Sequence, residues 1–271
     1  MAVETGYFET TGGLRLFEQH WAPAGNARAV IAIVHGYAEH SGRYEWTAAR
    51  LTERGYAVEA LDLRGHGRSD GERVFVNSFE EYHDDVERFL ARVRERHPGL
   101  PLFLLGHSMG GGIVTSFVIA RKPGLAGVLL SGSALLAARP ASPPPQEPAR
   151  PAPLPASAIS RDPEVVAAYE NDPLVYRGVP RTDRAQAWPG AFRLIQEGME
   201  SITTPILIMH GTADLLTPAE GSRVLFERVS SPDKTLKLYE GLYHEILNEP
   251  EKEQVMAGIL AWLDERTGAK P

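Results

Sequence analysis

Short apolar runs alternate along the chain with longer segments in which apolar residues recur at helical spacing. Six runs have the composition of strands, and most are apolar on both faces; they begin at Ala29, Tyr56, Leu102, Gly127, Pro205 and Thr235. Such runs are typical of buried parallel strands. Between them, stripes such as the one from Phe79 to Val93 predict amphipathic helices. Strands that alternate with helices predict an α/β fold with a mainly parallel sheet.

Polar residues mark the predicted helix ends. Ser78 and Glu81 have the spacing of a capping box ahead of the first stripe. Thr217 is the predicted N-cap of a helix that follows the run from Pro205, and the last helix is predicted to begin near Asn248.

The alternation is interrupted between residues 135 and 202. Eight of the 21 prolines fall within residues 139–157, where Leu154 is the only large apolar side chain. A segment of this composition is predicted to run extended over the surface. We interpret residues 1–134 and 203–271 as one α/β core, and residues 135–202 as a cap inserted at one end of its sheet.

Composition excludes several classes of protein. The chain has 271 residues, 43% of them hydrophobic, which is enough for a large core. A formal net charge of −7 argues against a nucleic-acid partner. With no cysteine there is neither a disulfide framework nor a thiolate nucleophile, and a cytoplasmic location is the simplest expectation. The N-terminus lacks the features of a secretory signal, and no apolar stretch is long enough to span a membrane.

The stretch GHSMG, residues 106–110, follows the run from Leu102. Its two glycines flank Ser108 at the spacing of a nucleophile elbow, in which a strand turns sharply into a helix. A motif this short also occurs by chance, but its position at the end of a buried strand favours a functional serine. The N–H of Met109, at the start of the helix, is placed to face an oxyanion.

A serine hydroxyl needs a base, and the base needs an orienting acid. Asp214 follows the run from Pro205 in HGTADLLTP, and His244 follows the last run in GLYHEI. The order Ser, Asp, His along the chain is that of the α/β-hydrolases. The sequence therefore predicts Ser108 as nucleophile, His244 as general base and Asp214 as the orienting carboxylate.

Five motifs together resemble the monoacylglycerol lipases of the α/β-hydrolase superfamily, particularly bacterial ones: VHGYAEHSGRY, LDLRGHGRSDG, GHSMGG, HGTADLLTP and KTLKLYEGLYHEILNEP. The resemblance implies hydrolysis of monoacylglycerols through an acyl-enzyme, without a cofactor or a metal. It implies that the backbone N–H groups of Tyr37 and Met109 form the oxyanion hole. It also suggests Glu39, Arg43 and Tyr169 as substrate-binding residues, although a buried ion pair that holds the loop explains Glu39 and Arg43 equally well.

Two alternatives remain open. The same triad would serve a lysophospholipase or a general short- or medium-chain carboxylesterase, and a non-catalytic binding scaffold would keep the fold, although an intact triad disfavours it. The expected partner is a small acyl ester, with at most weak peripheral membrane contact, and the oligomeric state is left open. Because the proline-rich segment replaces the apolar helix of the family's cap, we expect a preference for short or medium acyl chains.

Overall fold

The structure, a computed structural model, describes residues 3–136, 153–178 and 187–268. Within these ranges eight strands form one sheet: β1 (Val3–Glu9), β2 (Arg15–Trp21), β3 (Ala29–Val34), β4 (Tyr56–Leu61), β5 (Leu102–His107), β6 (Gly127–Ser131), β7 (Ile206–Gly211) and β8 (Lys234–Tyr239). Their order is β1-β2-β4-β3-β5-β6-β7-β8. Strands β3 to β8 are parallel, whereas β1 and β2 pair antiparallel. The predicted α/β fold is confirmed, while β1 and β2 were not predicted.

The helices are α1 (Glu45–Glu53), α2 (Phe79–Arg96), α3 (Met109–Arg121), α4 (Pro163–Asn171), α5 (Ala187–Gly198), α6 (Ala219–Arg228) and α7 (Lys252–Thr267). Helices α4 and α5 lie between β6 and β7, together with short 3-10 helices at Ala156–Ala158 and Met199–Ser201. None of the helices in the described ranges combines the length and apolar character that crossing a bilayer requires.

Two apolar layers sandwich the sheet. On one face, side chains of α2 and α3 such as Phe89 and Phe117 pack against β3, β5 and β6. On the other face, side chains of α1 and α7 such as Leu51 and Trp262 pack against the opposite side of the same sheet. Since the central strands are covered on both sides, polar loops can meet only at the strand ends. The loops after β3, β5, β7 and β8 all leave the carboxyl edge of the parallel strands, where ligands bind in folds of this kind.

Three predicted helix starts are wrong in detail. Ser78 is the N-cap of α2 by position, but Glu81 accepts from the Asn77 N–H at 3.0 Å, so no capping box forms. Helix α6 begins at Ala219, because the Thr217 hydroxyl faces Asp214 and Gly132 O instead of capping the helix. The last helix begins at Lys252 instead of Asn248, because the intervening residues bond to the chain between β6 and β7.

Candidate active site

Ser108 occupies the turn between β5 and α3, with φ 52° and ψ −118°. A positive φ is costly for a residue with a side chain, and the surrounding structure maintains it; the Ser108 N–H, for example, donates to Ser131 O at 2.9 Å. The flanking glycines are required because a side chain at either position would collide with the backbone. A Cβ at Gly106 would lie 2.6 Å from Gly110 O, and one at Gly110 would lie 2.1 Å from Val34 O. The local geometry is that of a nucleophile elbow.

Asp214 and His244 lie in the loops that follow β7 and β8. His244 Nδ1 is 2.7 Å from Asp214 Oδ2, and both side chains are almost fully buried. The other carboxylate oxygen accepts the backbone N–H groups of Leu216 and Thr217 at 2.8 and 3.0 Å. Burial alone raises the pKa of Asp214, but hydrogen bonds from His210 and His244 outweigh it and hold this pKa well below its usual range. The ionised carboxylate accepts from Nδ1, which leaves Nε2 of a neutral His244 available as a base.

Ser108 and His244 line one small cavity at this edge of the sheet. Its volume is about 10 Å³, roughly the space that one water molecule occupies. Tyr37, Leu154 and Tyr169 also belong to its wall. Leu154 is the last large side chain of the predicted surface segment, and it reaches the site instead. The described residues between β6 and β7 therefore contribute directly to the wall beside Ser108, while residues 137–152 lie outside the described ranges.

The loop after β3 carries Tyr37, one of the two predicted oxyanion donors. His35 Nε2 accepts the Leu63 N–H at 2.9 Å, so the proton of the neutral ring is on Nδ1, which donates to Gly36 O at 2.7 Å. Gly36 C=O and Tyr37 N–H belong to one planar peptide and point in opposite directions. The bond from His35 thereby sets the direction of the Tyr37 N–H. Met109, the second predicted donor, begins α3, where the helix itself supplies no acceptor for its N–H.

Glu39, Arg43 and Tyr169 lie together beside the cavity. Arg43 donates to both carboxylate oxygens of Glu245 at 2.6 and 2.7 Å and to Glu39 at 2.9 Å, and its guanidinium carbon is 4.8 Å from the Tyr169 ring centroid. Glu39 also accepts from the Gly36 N–H at 2.6 Å. Burial alone raises the pKa of Glu39, but the Arg43 charge, two nearby histidines and the Gly36 N–H together outweigh it and lower that pKa to about 2. Glu39 and Tyr169 line the cavity, whereas the Arg43 charge is engaged in a buried ion-pair network.

Sequence reasoning assigns Thr217 to a helix cap and gives no role to His210 or Leu154. In the structure Thr217 Oγ1 lies 2.9 Å from Asp214 Oδ2, and His210 Nε2 lies 3.1 Å from the same oxygen. The signal for both is present in HGTADLLTP, where four polar side chains fall within residues 210–217. The role of Leu154 could have been inferred only from its position as a single large apolar residue among prolines.

Buried histidines around the site should make the fold sensitive to acid. Burial lowers the pKa of His66 to about 3 and that of His107 to about 4, and it also lowers that of His35. Below the unfolded value of 6.5 these groups take up protons more readily in the unfolded chain. Their contribution to stability is therefore complete above that value and is lost as the pH falls toward the folded-state pKa. Each such residue should cost about 2 kcal/mol between pH 6.5 and about pH 5.

Replacing His66 by Asn tests this expectation. His66 Nδ1 lies 2.9 Å from Arg64 O, and an asparagine amide can keep that hydrogen bond. Differential scanning calorimetry should give a smaller loss of Tm from about pH 8 to about pH 5 in His66→Asn than in the wild type. Between about pH 8 and pH 7 the two proteins should change equally, which serves as the internal control. An unchanged acid sensitivity in the variant would contradict the assignment of a buried neutral ring.

A family model described as "Serine aminopeptidase, S33" matches residues 25–251, most of the chain. The chain belongs to this family. It is 42% identical to the monoacylglycerol lipase of Mycolicibacterium smegmatis, with 94% of this chain and 95% of that protein covered. It is 36% identical to the monoglyceride lipase of Homo sapiens, with 94% and 88% covered. The crystal structure of Paleococcus ferrophilus monoacylglycerol lipase is 30% identical and superposes with a TM-score of 0.78, covering 98% of this chain and 100% of that one.

These comparisons confirm two predictions from the sequence. The chain is a serine hydrolase with an α/β-hydrolase fold, and its resemblance to monoacylglycerol lipases extends over nearly its whole length. The roles of individual site residues are a separate question, which the geometry above informs.

Proposed function

We propose that the protein hydrolyses monoacylglycerols to fatty acid and glycerol. The observation that carries the proposal is the placement of Ser108, at a strained turn, on the same cavity as a His244 that bonds to Asp214 at 2.7 Å. Similarity to relatives named monoacylglycerol lipase supports the substrate class. Glu39 and the apolar Leu154 both stand beside Ser108 in the wall of this cavity.

In the proposed reaction, Ser108 Oγ attacks the ester carbonyl carbon while His244 Nε2 takes the serine proton. Asp214 orients the imidazole and stabilises its charged form, and the N–H groups of Tyr37 and Met109 hold the oxyanion. The bond from the carbonyl carbon to the glycerol oxygen breaks, and His244 returns the proton to that oxygen. Water, deprotonated by the same histidine, then attacks the acyl-enzyme, and the fatty acid leaves as Ser108 is regenerated.

The buried ion-pair network favours a glycerol head group over a phosphate head group. The Arg43 N–H groups donate to Glu39 and Glu245, so this cation has little capacity left for the phosphate of a lysophospholipid. The carboxylate of Glu39, beside Ser108, would also repel a second anion. A cytoplasmic location and at most weak membrane contact remain predictions from the sequence.

A substrate panel tests the proposal. We expect kcat/KM for a monoacylglycerol to exceed that for the lysophosphatidylcholine of equal chain length by at least about tenfold, both below their aggregation limits. Equal or inverted rates would favour a lysophospholipase, and activity confined to short aryl esters would favour a general carboxylesterase. A protein that neither hydrolyses these esters nor reacts with a fluorophosphonate probe would be a binding scaffold.

Leu154→Ala should shift the preference toward longer acyl chains. Leu154 shares the cavity wall with Ser108, and Pro153 and Pro155 restrict the backbone on both sides of it. Loss of its side chain enlarges the cavity, so the ratio of kcat/KM for long-chain over medium-chain monoacylglycerols should rise about tenfold. The matched control is Leu174→Ala, a half-buried leucine of the same region that lines a separate groove beside His40. An equal ratio in both variants would mean that Leu154 does not limit the acyl site.

A further inference from the structure

A second histidine contacts the carboxylate that orients His244. His210 lies in β7, and its ring is fully buried. Its Nε2 is 3.1 Å from Asp214 Oδ2 and 3.0 Å from Thr217 O, while its Nδ1 is 2.7 Å from Ser222 Oγ on α6. The proposed reaction gives this ring no part.

These distances define where the proton of His210 resides. Carboxylate and carbonyl oxygens only accept hydrogen bonds, so Nε2 must carry the proton. Nδ1 of the neutral ring is then an acceptor, and the hydroxyl of Ser222, itself fully buried, donates to it. The acceptor oxygens of Asp214 and Thr217 thus fix the tautomer of His210, and Ser222 supports it by donating to Nδ1.

Asp214 Oδ2 therefore lies within hydrogen-bond distance of both histidines: His244 Nδ1 is 2.7 Å away, and His210 Nε2, whose N–H also faces Thr217 O at 3.0 Å, is 3.1 Å away. Thr217 Oγ1 is 2.9 Å from this oxygen and 2.9 Å from Gly132 O, so its single proton is available to only one of them at a time. The N–H of His210, by contrast, has a fixed direction set by a ring in the sheet. It is therefore the more constant second donor to the carboxylate.

We propose that His210 is a positioning residue that holds Asp214 Oδ2 toward His244 and stabilises the carboxylate as an anion, through an ordered chain from Ser222. The inference rests on the proposed triad. Besides Asp214, the titratable groups near His244 are His107, with ring centroids 4.8 Å apart, and the adjacent Glu245, which is paired with Arg43.

Loss of the His210 donor should alter catalysis in a distinctive way. With one donor fewer, the Asp214 charge attracts the imidazolium form of His244 more strongly, so the acid limb of kcat/KM should move to higher pH. For His210→Phe, with a p-nitrophenyl ester as substrate, we expect kcat to fall about 10- to 100-fold at unchanged KM and the acid limb to rise by about one pH unit. His210→Gln can place an amide N–H near the position of Nε2, and it should recover most of kcat and the original acid limb.

A matched control separates positioning from stability. His83 on α2 is equally buried, and it lies 2.8 Å from Ser116 Oγ, in the apolar layer between α2 and α3. His83→Phe loses a comparable buried hydrogen bond, so it should lower Tm while leaving kcat and the acid limb unchanged. Unchanged kcat and acid limb in folded His210→Phe would overturn the proposal. Equal losses in the Phe and Gln variants without a shift of the acid limb would also overturn it, because a purely structural role predicts that result.

The position of the His210 proton can also be measured in the wild-type protein, so that this test does not depend on the folding of a variant. Nitrogen-15 NMR of the histidine rings should show a proton on Nε2 of His210. A ring protonated only at Nδ1 would overturn the proposal. This outcome is distinct from failure of the proposed function, which would appear as full turnover in Ser108→Ala whatever the state of His210.

Discussion

Ser108→Ala should lose ester hydrolysis by about four to six orders of magnitude while keeping the fold. No other group in the proposed reaction can form the acyl-enzyme, so the variant keeps only the weak catalysis that substrate binding and the oxyanion donors supply on their own. Alanine fits the site, because it removes one oxygen and adds no atoms beside the cavity. Steady-state kcat/KM on a monoacylglycerol, together with circular dichroism and thermal melting, measures both halves of the expectation.

Two further variants sharpen that experiment. Ser116→Ala removes a buried serine hydroxyl from the middle of α3, so it should keep wild-type turnover. Ser108→Gly should be inactive, as Ser108→Ala is. It should melt at a higher temperature than Ser108→Ala, because glycine adopts a φ of 52° without the strain of about 1 to 3 kcal/mol that a side chain brings there. A folded Ser108→Ala protein that retained more than a few per cent of wild-type turnover would refute the role of this serine.

The inner parallel strands β3, β5, β6 and β7 could be predicted because each is a largely apolar run, which only a sheet covered on both faces would bury. Strands β1 and β2 could not, because their sequences, VETGYFE and RLFEQHW, alternate with charged residues. Glu18 of β2 is nevertheless buried, and Arg92 and Arg96 of α2 hold it at 2.6 and 3.0 Å. A buried carboxylate is tolerated only with such partners. The spacing of residues along the chain does not reveal that the partners are there.

The candidate site also has a part that could be predicted and a part that could not. Ser108, Asp214 and His244 could be predicted, because each follows a predicted strand and the three occur in a recognisable order. The support around them depends on contacts between distant elements. Arg43 and Glu245 are 202 positions apart, and Ser222 lies on α6, facing a strand residue rather than its own helix. Thr217 shows the limit most clearly, because its hydroxyl faces Asp214 and the distant Gly132 O instead of capping the helix that its sequence context favours.

Arg43→Met should lower the free energy of unfolding by about 3 to 5 kcal/mol, and Tm by roughly 10 °C for a chain of this size. Methionine fills much of the same space, but it leaves Glu39 and Glu245 buried without their cation. The folded-state pKa of Glu39 would then rise above its unfolded value of 4.5. The penalty is therefore largest at neutral pH and shrinks as the pH falls through the raised value.

The control for this prediction is an arginine whose acidic neighbours are exposed to solvent. Arg121 lies 2.8 and 2.9 Å from Glu80 and Asp84, whose side chains are more than half exposed. Arg121→Met should therefore cost about 0 to 1 kcal/mol. Adding Glu245→Gln to Arg43→Met should restore part of the lost stability, because it removes one of the two unpaired charges. If Arg43→Met melted within the range of Arg121→Met, the network would not stabilise the fold, and Arg43 would be better explained as a substrate-binding residue held beside Tyr169.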